Sequence, residues 1–142
     1  MLVYNHINPR SVLLYAIAIL VVAGALGIYL VVITGWPLLV IGLIGALTVV
    51  LYSAGKTPIS YLPIGEFVSG IVMGGLITLA SCYTLSGILD LRVLVISLPC
   101  IVGIGMILFT NNTCDIEKDI QARRKTLSVL LGREKAMKTY KA

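Results

Sequence analysis

The sequence predicts an all-α fold, a transmembrane helical bundle of about four spans, and three observations carry that expectation. Apolar residues make up 58% of the 142-residue chain and charged residues only 12%, and mean hydropathy is +1.03, far outside the range of water-soluble domains. Asp, Glu, Lys and Arg are all absent between Arg10 and Lys56, between Glu66 and Asp90, and between Arg92 and Asp115. Each interval can cross a hydrocarbon core of about 30 Å, which takes roughly 20 residues at about 1.5 Å each. The Val- and Ile-rich runs show no period-two alternation, and backbone groups in lipid must be satisfied within a helix or a closed barrel. Helices meet that requirement here.

The first span is expected at about residues 11–33. Its apolar run exceeds a signal-peptide core and further spans follow it, so it reads as a retained helix. The interval up to Lys56 is too long for one helix, and Thr34-Gly35-Trp36-Pro37 supplies a turn residue, an interfacial aromatic and a proline suited to a first helical turn. A tight hairpin there leads into a second span at about 37–53. The third span is expected at about 66–85 and the fourth at about 91–110. Residues 111–142 then form a cytoplasmic aspartate-rich motif and the start of a next helix, the whole chain being a single membrane domain. Gly70-x-x-x-Gly74 and Gly42-x-x-x-Ala46 are small-residue spacings that let helices approach closely.

Four spans place Arg10, Lys56 and the eight basic residues from Lys118 to Lys141 on one side, leaving the Gly35 turn and the short Asp90/Arg92 loop on the other. The positive-inside rule makes this a multi-pass protein of the cell membrane with both termini cytoplasmic. The formal charge of +5 then gathers on a face that suits anionic headgroups or a phosphorylated substrate. Cys82, Cys100 and Cys114 have neither CxxC nor Cys/His spacing and read as small hydrophobes. His6, without a second ligand nearby, reads as a surface histidine. Nothing points to a nucleic acid partner.

The run NNTCDIEKDIQARRKTL, Asn111 to Leu127, carries the chemistry. Asp115 and Asp119 are four apart, so a helix would put both carboxylates on one face, with Asn111 a turn earlier and Arg123 a turn later. Two such carboxylates repel unless a cation sits between or beside them, and oxygen ligands favour a hard ion such as Mg²⁺, which completes its shell with water and substrate phosphate. Arg123, Arg124 and Lys125 offer the donors a diphosphate needs. The same residues also suit a charged face at the end of a membrane helix, with basic side chains snorkelling to the interface. Carboxylates near an otherwise apolar bundle are costly unless compensated, which weighs toward a functional site.

NNxxDIExD followed by RKTLSVLLG resembles the second aspartate-rich motif of the UbiA superfamily of intramembrane prenyltransferases, above all the menaquinone-branch members that prenylate dihydroxynaphthoate. Tyr52-Ser53-Ala54-Gly55-Lys56, a YxxxK pattern followed by Pro58, Tyr61, Gly65 and Glu66, is similar to a stretch that joins two helices in that branch. The resemblance implies a fold of about nine spans, of which this chain would be an internal fragment. It implies transfer of a prenyl group from a prenyl diphosphate to an aromatic acceptor, dihydroxynaphthoate in menaquinone biosynthesis, with Mg²⁺ as cofactor. It places Mg²⁺ on Asp115 and Asp119, with Asn111, Asn112, Tyr52, Lys56, Arg124 and Lys125 binding substrate. The lipid bilayer and a second polypeptide carrying the missing helices are the further partners.

The sequence departs from the family at several positions. An NDxxD-type first motif is absent, and residues 1–10 contain no carboxylate. Cys114 stands where the family has an arginine, Arg123 where it has a glycine, and Leu130 where its tail has an arginine. Two other readings therefore stay open: a small four-span oligomeric transporter with Glu66 as its proton-coupling acid, and a catalytically inactive membrane subunit of the same fold.

Overall fold

The computed structural model describes residues 8–141, which leaves His6 outside the described residues. Helix α1, Pro9–Thr34, starts where Asn8 accepts the Arg10 amide at 3.0 Å and Pro9 supplies a fixed φ in the first turn. It ends at Gly35, whose φ of 107° is left-handed and turns the chain straight into α2, Trp36–Ser53. The Tyr83 hydroxyl crosses to this turn and donates to the Thr34 carbonyl at 2.7 Å, tying the far end of the third helix to the hairpin. Helix α1 buries no residue, so its apolar surface needs lipid or further helices to cover it.

A loop with a short 3₁₀ turn at Ile59–Tyr61 leads to α3, Gly65–Ser86. Its middle, Gly70–Leu76, widens into π-helical turns where it passes the Ile101 backbone. Helix α4, Arg92–Ile96, and helix α5, Leu98–Cys114, occupy the last charge-free interval. The stretch expected as one span at 91–110 is described as two helices that meet at Ser97. Ser97, at φ −79° and ψ −2°, stays in the right-handed region and keeps helical bonds to Val93 and Ile101, its hydroxyl donates to the Leu94 carbonyl at 2.9 Å, and Pro99 stands in the first turn of α5 without an amide to satisfy. Among the described residues, α1, α2 and α3 are long and apolar enough to cross a membrane, while α5 is a shorter apolar helix, and no strand occurs.

The two small-residue spacings behave differently. A Cβ on Gly70 or Gly74 would meet the Ile101 backbone of α5 at 2.5 or 2.6 Å, so these glycines are where α3 and α5 touch. Gly42 has nothing within 4 Å of that position, so the second spacing makes no close approach among the described residues.

Beyond α5 the chain bends at Asp115 into α6, Ile116–Gln121, then makes a loop, a short α7, Leu127–Leu131, and α8, Arg133–Lys141. The fully buried Ser128 hydroxyl lies 2.9 Å from that of Thr113 and 3.2 Å from the Phe109 carbonyl, which docks α7 on α5. Arg123, after α6, sits at φ 56°, the left-handed region where a side chain is strained. This explains why the resembling family pattern carries glycine there. Arg123→Gly is expected to raise stability by about 1 kcal/mol, read as a higher thermal midpoint in detergent.

Candidate functional site at the end of the bundle

The C-terminal end of α2, the start of α3, the end of α5 and the α6–α7 loop come together at one end of the bundle. The Lys125 amide donates to the Tyr61 carbonyl at 2.8 Å, and the Asn112 amide Nδ2 donates to Glu66 Oε1 at 2.8 Å. These two bonds join the YxxxK segment to the aspartate-rich segment, which lie far apart in sequence. Tyr52 reaches the same place, its hydroxyl 3.6 Å from where a Cβ on Gly65 would sit.

Asp119 is the anchor of the second segment. It is 4% exposed, and its carboxylate is 3.3 Å from Arg124 Nη1 and accepts from Thr126 Oγ1 at 3.4 Å. The Arg124 guanidinium lies over the Tyr61 ring, 4.9 Å from its centroid, so a cation–π contact and an ion pair together hold its plane. Thr126 also receives the Val129 amide as the N-cap of α7. One buried hydroxyl therefore links Asp119 to the start of the next helix.

Asp115 is placed differently. Its backbone, at φ −99° and ψ 18°, is the joint between α5 and α6, and its half-exposed side chain takes the Lys118 ammonium at 2.6 Å. That hydrogen bond, with the charge of Asp115, raises the Lys118 pKa above its ordinary value. Asp115 departs from helical dihedrals, yet the Asp119 amide still donates to its carbonyl at 2.9 Å, and each carboxylate pairs with its own cation. Among the described residues no three His, Cys, Asp or Glu side chains gather as a metal site. Asn111 is exposed on the last turn of α5, and the side chains of Lys56 and Lys125 are exposed.

The donor set fits a hard divalent cation in kind. Asp115 and Asp119 each present carboxylate oxygens, and each is held by side chains that leave lone pairs spare. One or two carboxylates suffice for an ion that takes the rest of its shell from water and phosphate.

Two residues of the site, Tyr61 and Thr126, had no role assigned from sequence, and a third, Glu66, does more than its place suggests: 3% exposed in the first turn of α3, after Pro63 and Gly65 where an acid is ordinarily a helix-start feature, it also reaches α5 through Asn112. Tyr61 and Thr126 fall inside the quoted motifs, and only the fold shows that they hold Arg124 and Asp119.

An all-α membrane bundle joining these two polar segments at one end defines the class, and sequence comparison supplies the lineage. The chain belongs to the UbiA prenyltransferase family, which it matches over residues 1–141. It is 36% identical over 136 residues to the 1,4-dihydroxy-2-naphthoate octaprenyltransferase of Bacillus subtilis (strain 168), covering 96% of this chain and 44% of that protein. It is 31% identical to the protein of the same description from Mycobacterium tuberculosis (strain ATCC 25618 / H37Rv), over 94% of this chain and 46% of that one. The Mycobacterium leprae (strain TN) counterpart is 29% identical over similar shares. The chain spans less than half the length of the curated relatives it matches. No solved structure matches it significantly.

Proposed function

We propose that the protein takes part in the Mg²⁺-dependent transfer of a prenyl group from a prenyl diphosphate to 1,4-dihydroxy-2-naphthoate in menaquinone biosynthesis, this chain supplying part of the site. The observation that carries the reading is the joining of the YxxxK and aspartate-rich segments through Glu66–Asn112 and Tyr61–Lys125. It brings together, at one end of an apolar bundle, the residue types a diphosphate needs.

Arg124 binds the diphosphate. Its guanidinium is part-exposed, held flat by Tyr61, and keeps donors beyond the one given to Asp119. Lys56 and Lys125 add exposed ammonium groups, and Tyr52 a hydroxyl, at the same end. Mg²⁺ held by Asp115 and Asp119 would neutralise charge on the leaving diphosphate. The prenyl tail runs into the apolar groove between α1, α2 and α3, about 820 Å³, lined by residues such as Val31, Ile41, Gly45 and Leu76. Val49, Val72 and Met73 border both this groove and a smaller cavity of about 120 Å³ that reaches Tyr52, so apolar side chains line the way from the polar end to the groove. Those walls keep water away from the allylic cation.

The basic face gives the orientation, with both termini in the cytoplasm. The transporter reading is less well supported, because Glu66 is engaged by Asn112 inside the bundle. The test is transfer of a labelled prenyl group to dihydroxynaphthoate in membranes. The chain alone is expected to turn over slowly, and activity to appear on co-expression with a membrane segment carrying an NDxxD motif. Failure of any Mg²⁺-dependent transfer in that combination would refute the proposal.

A further inference from the structure

Glu66 is a costly residue that the proposed chemistry leaves without a task. It is 3% exposed, one carboxylate oxygen accepts from Asn112 Nδ2 at 2.8 Å, and Oε2 is buried with no partner among the described residues. A buried carboxylate with a single side-chain hydrogen bond is unfavourable unless something else depends on it. A dipole role needs no burial, and Glu66 makes no capping bond to its own helix.

The bond instead settles the orientation of an amide. An Asn side chain can present either its oxygen or its NH₂ group in a given direction, and the carboxylate accepts only from the NH₂ group. Nδ2 is therefore committed toward Glu66, and Oδ1 faces away from it. Oδ1 has no donor among the described residues, yet it is not among the buried unpartnered side-chain atoms, which are Glu66 Oε2 and Arg124 Nε. It is an open acceptor beside the polar end of the bundle. An acceptor oxygen repels phosphoryl oxygens and receives O–H groups.

We infer that Glu66 is a positioning residue, fixing the Asn112 amide so that Oδ1 receives an O–H donor from the ligand, either a ring hydroxyl of the aromatic acceptor or a cation-bound water. This rests on the proposed function for the identity of the ligand and deepens it, because it assigns Asn112 to a hydroxyl and not to the diphosphate. Glu66→Gln keeps the shape but can turn its own NH₂ toward Asn112, so the amide is no longer held one way. Glu66→Asp keeps the charge and shortens the reach.

The test is calorimetric binding to the full chain in nanodiscs, with 1,4-dihydroxy-2-naphthoate, with 2-naphthoate lacking ring hydroxyls, and with inorganic diphosphate plus Mg²⁺. Glu66→Gln and Asn112→Leu are each expected to weaken dihydroxynaphthoate about tenfold, the double variant no further, as for two groups acting as one unit. Glu66→Asp should recover part of the loss. Binding of 2-naphthoate should be unchanged, and the thermal midpoint of Glu66→Gln should stay close to that of the parent. If the loss falls on the Mg²⁺ requirement of diphosphate binding instead, the donor is the cation-bound water. Equal weakening of all three probes, additive losses, unaltered binding, or a parent chain that does not distinguish the hydroxylated ring would each overturn the inference. Absence of prenyl transfer with hydroxyl-dependent binding intact would sink the proposed function and leave the role of Glu66 standing.

Discussion

Asp119→Ala and Asp115→Ala are both expected to lower prenyl transfer by two to three orders of magnitude, about the scale seen when one group stabilising transition-state charge is removed. Only the first should also lower stability. Asp119 is almost fully buried and accepts from Arg124 and Thr126, so its loss strands the buried Thr126 hydroxyl and leaves the part-exposed Arg124 without its partner at the joint with α7. Breaking a buried, hydrogen-bonded charge costs about 3–5 kcal/mol, discounted here because Arg124 is 40% exposed and can turn to water. Asp115 is half-exposed and its partner Lys118 is 80% exposed, so Asp115→Ala should leave the thermal midpoint nearly unmoved. Asp119→Asn separates the two effects further, because it keeps the shape while removing the charge that pairs with Arg124. The measurement is a paired one, initial rate with labelled prenyl diphosphate and thermal unfolding in the same detergent. Unchanged rates for both alanine variants would remove the aspartates from the site.

The contrast between these two carboxylates shows where the sequence was legible. Composition and the charge-free intervals announced helices and a membrane, since those depend only on how much polar surface a chain can hide. The Thr34–Pro37 turn was readable because glycine and proline act locally. The spacing of Asp115 and Asp119 suggested a common face, but it could not say which cation each carboxylate takes: the Asp119 partners Arg124 and Thr126 arrive from the loop that docks α7, and that docking through Thr113 and Ser128 is a tertiary contact no local propensity encodes. Glu66 does stand in the first turn of α3, but its bond to a residue 46 positions away could be seen only in three dimensions.

Gly74→Val is expected to be the most disruptive single change in the described bundle. A Cβ at Gly74 would fall 2.6 Å from the Ile101 Cα and N and 2.7 Å from the Cys100 carbonyl carbon, all backbone atoms that cannot swing aside. The helices must separate, and overpacking of this kind costs typically about 1–3 kcal/mol even for a small insertion. Gly74→Ala should lie in that range, and valine beyond it. Gly42→Ala is the control, because nothing lies within 4 Å and alanine favours a helix over glycine.

The consequence reaches the polar end of the bundle through geometry. Glu66, Gly70 and Gly74 all face α5 by their contacts, with Gly70 and Gly74 against Ile101 and Glu66 against Gly105 and Asn112. A Cβ on Gly105 would already lie 3.4 Å from the Glu66 carbonyl. The same glycine seam that lets the backbones touch thus sets the 2.8 Å between Glu66 and Asn112. Widening the seam by about an ångström stretches that bond past useful length. Gly74→Ala should therefore reproduce part of the Glu66→Gln binding defect as well as a lower thermal midpoint. An alanine variant that melts earlier yet binds the hydroxylated ring normally would show that the seam and the amide are not coupled.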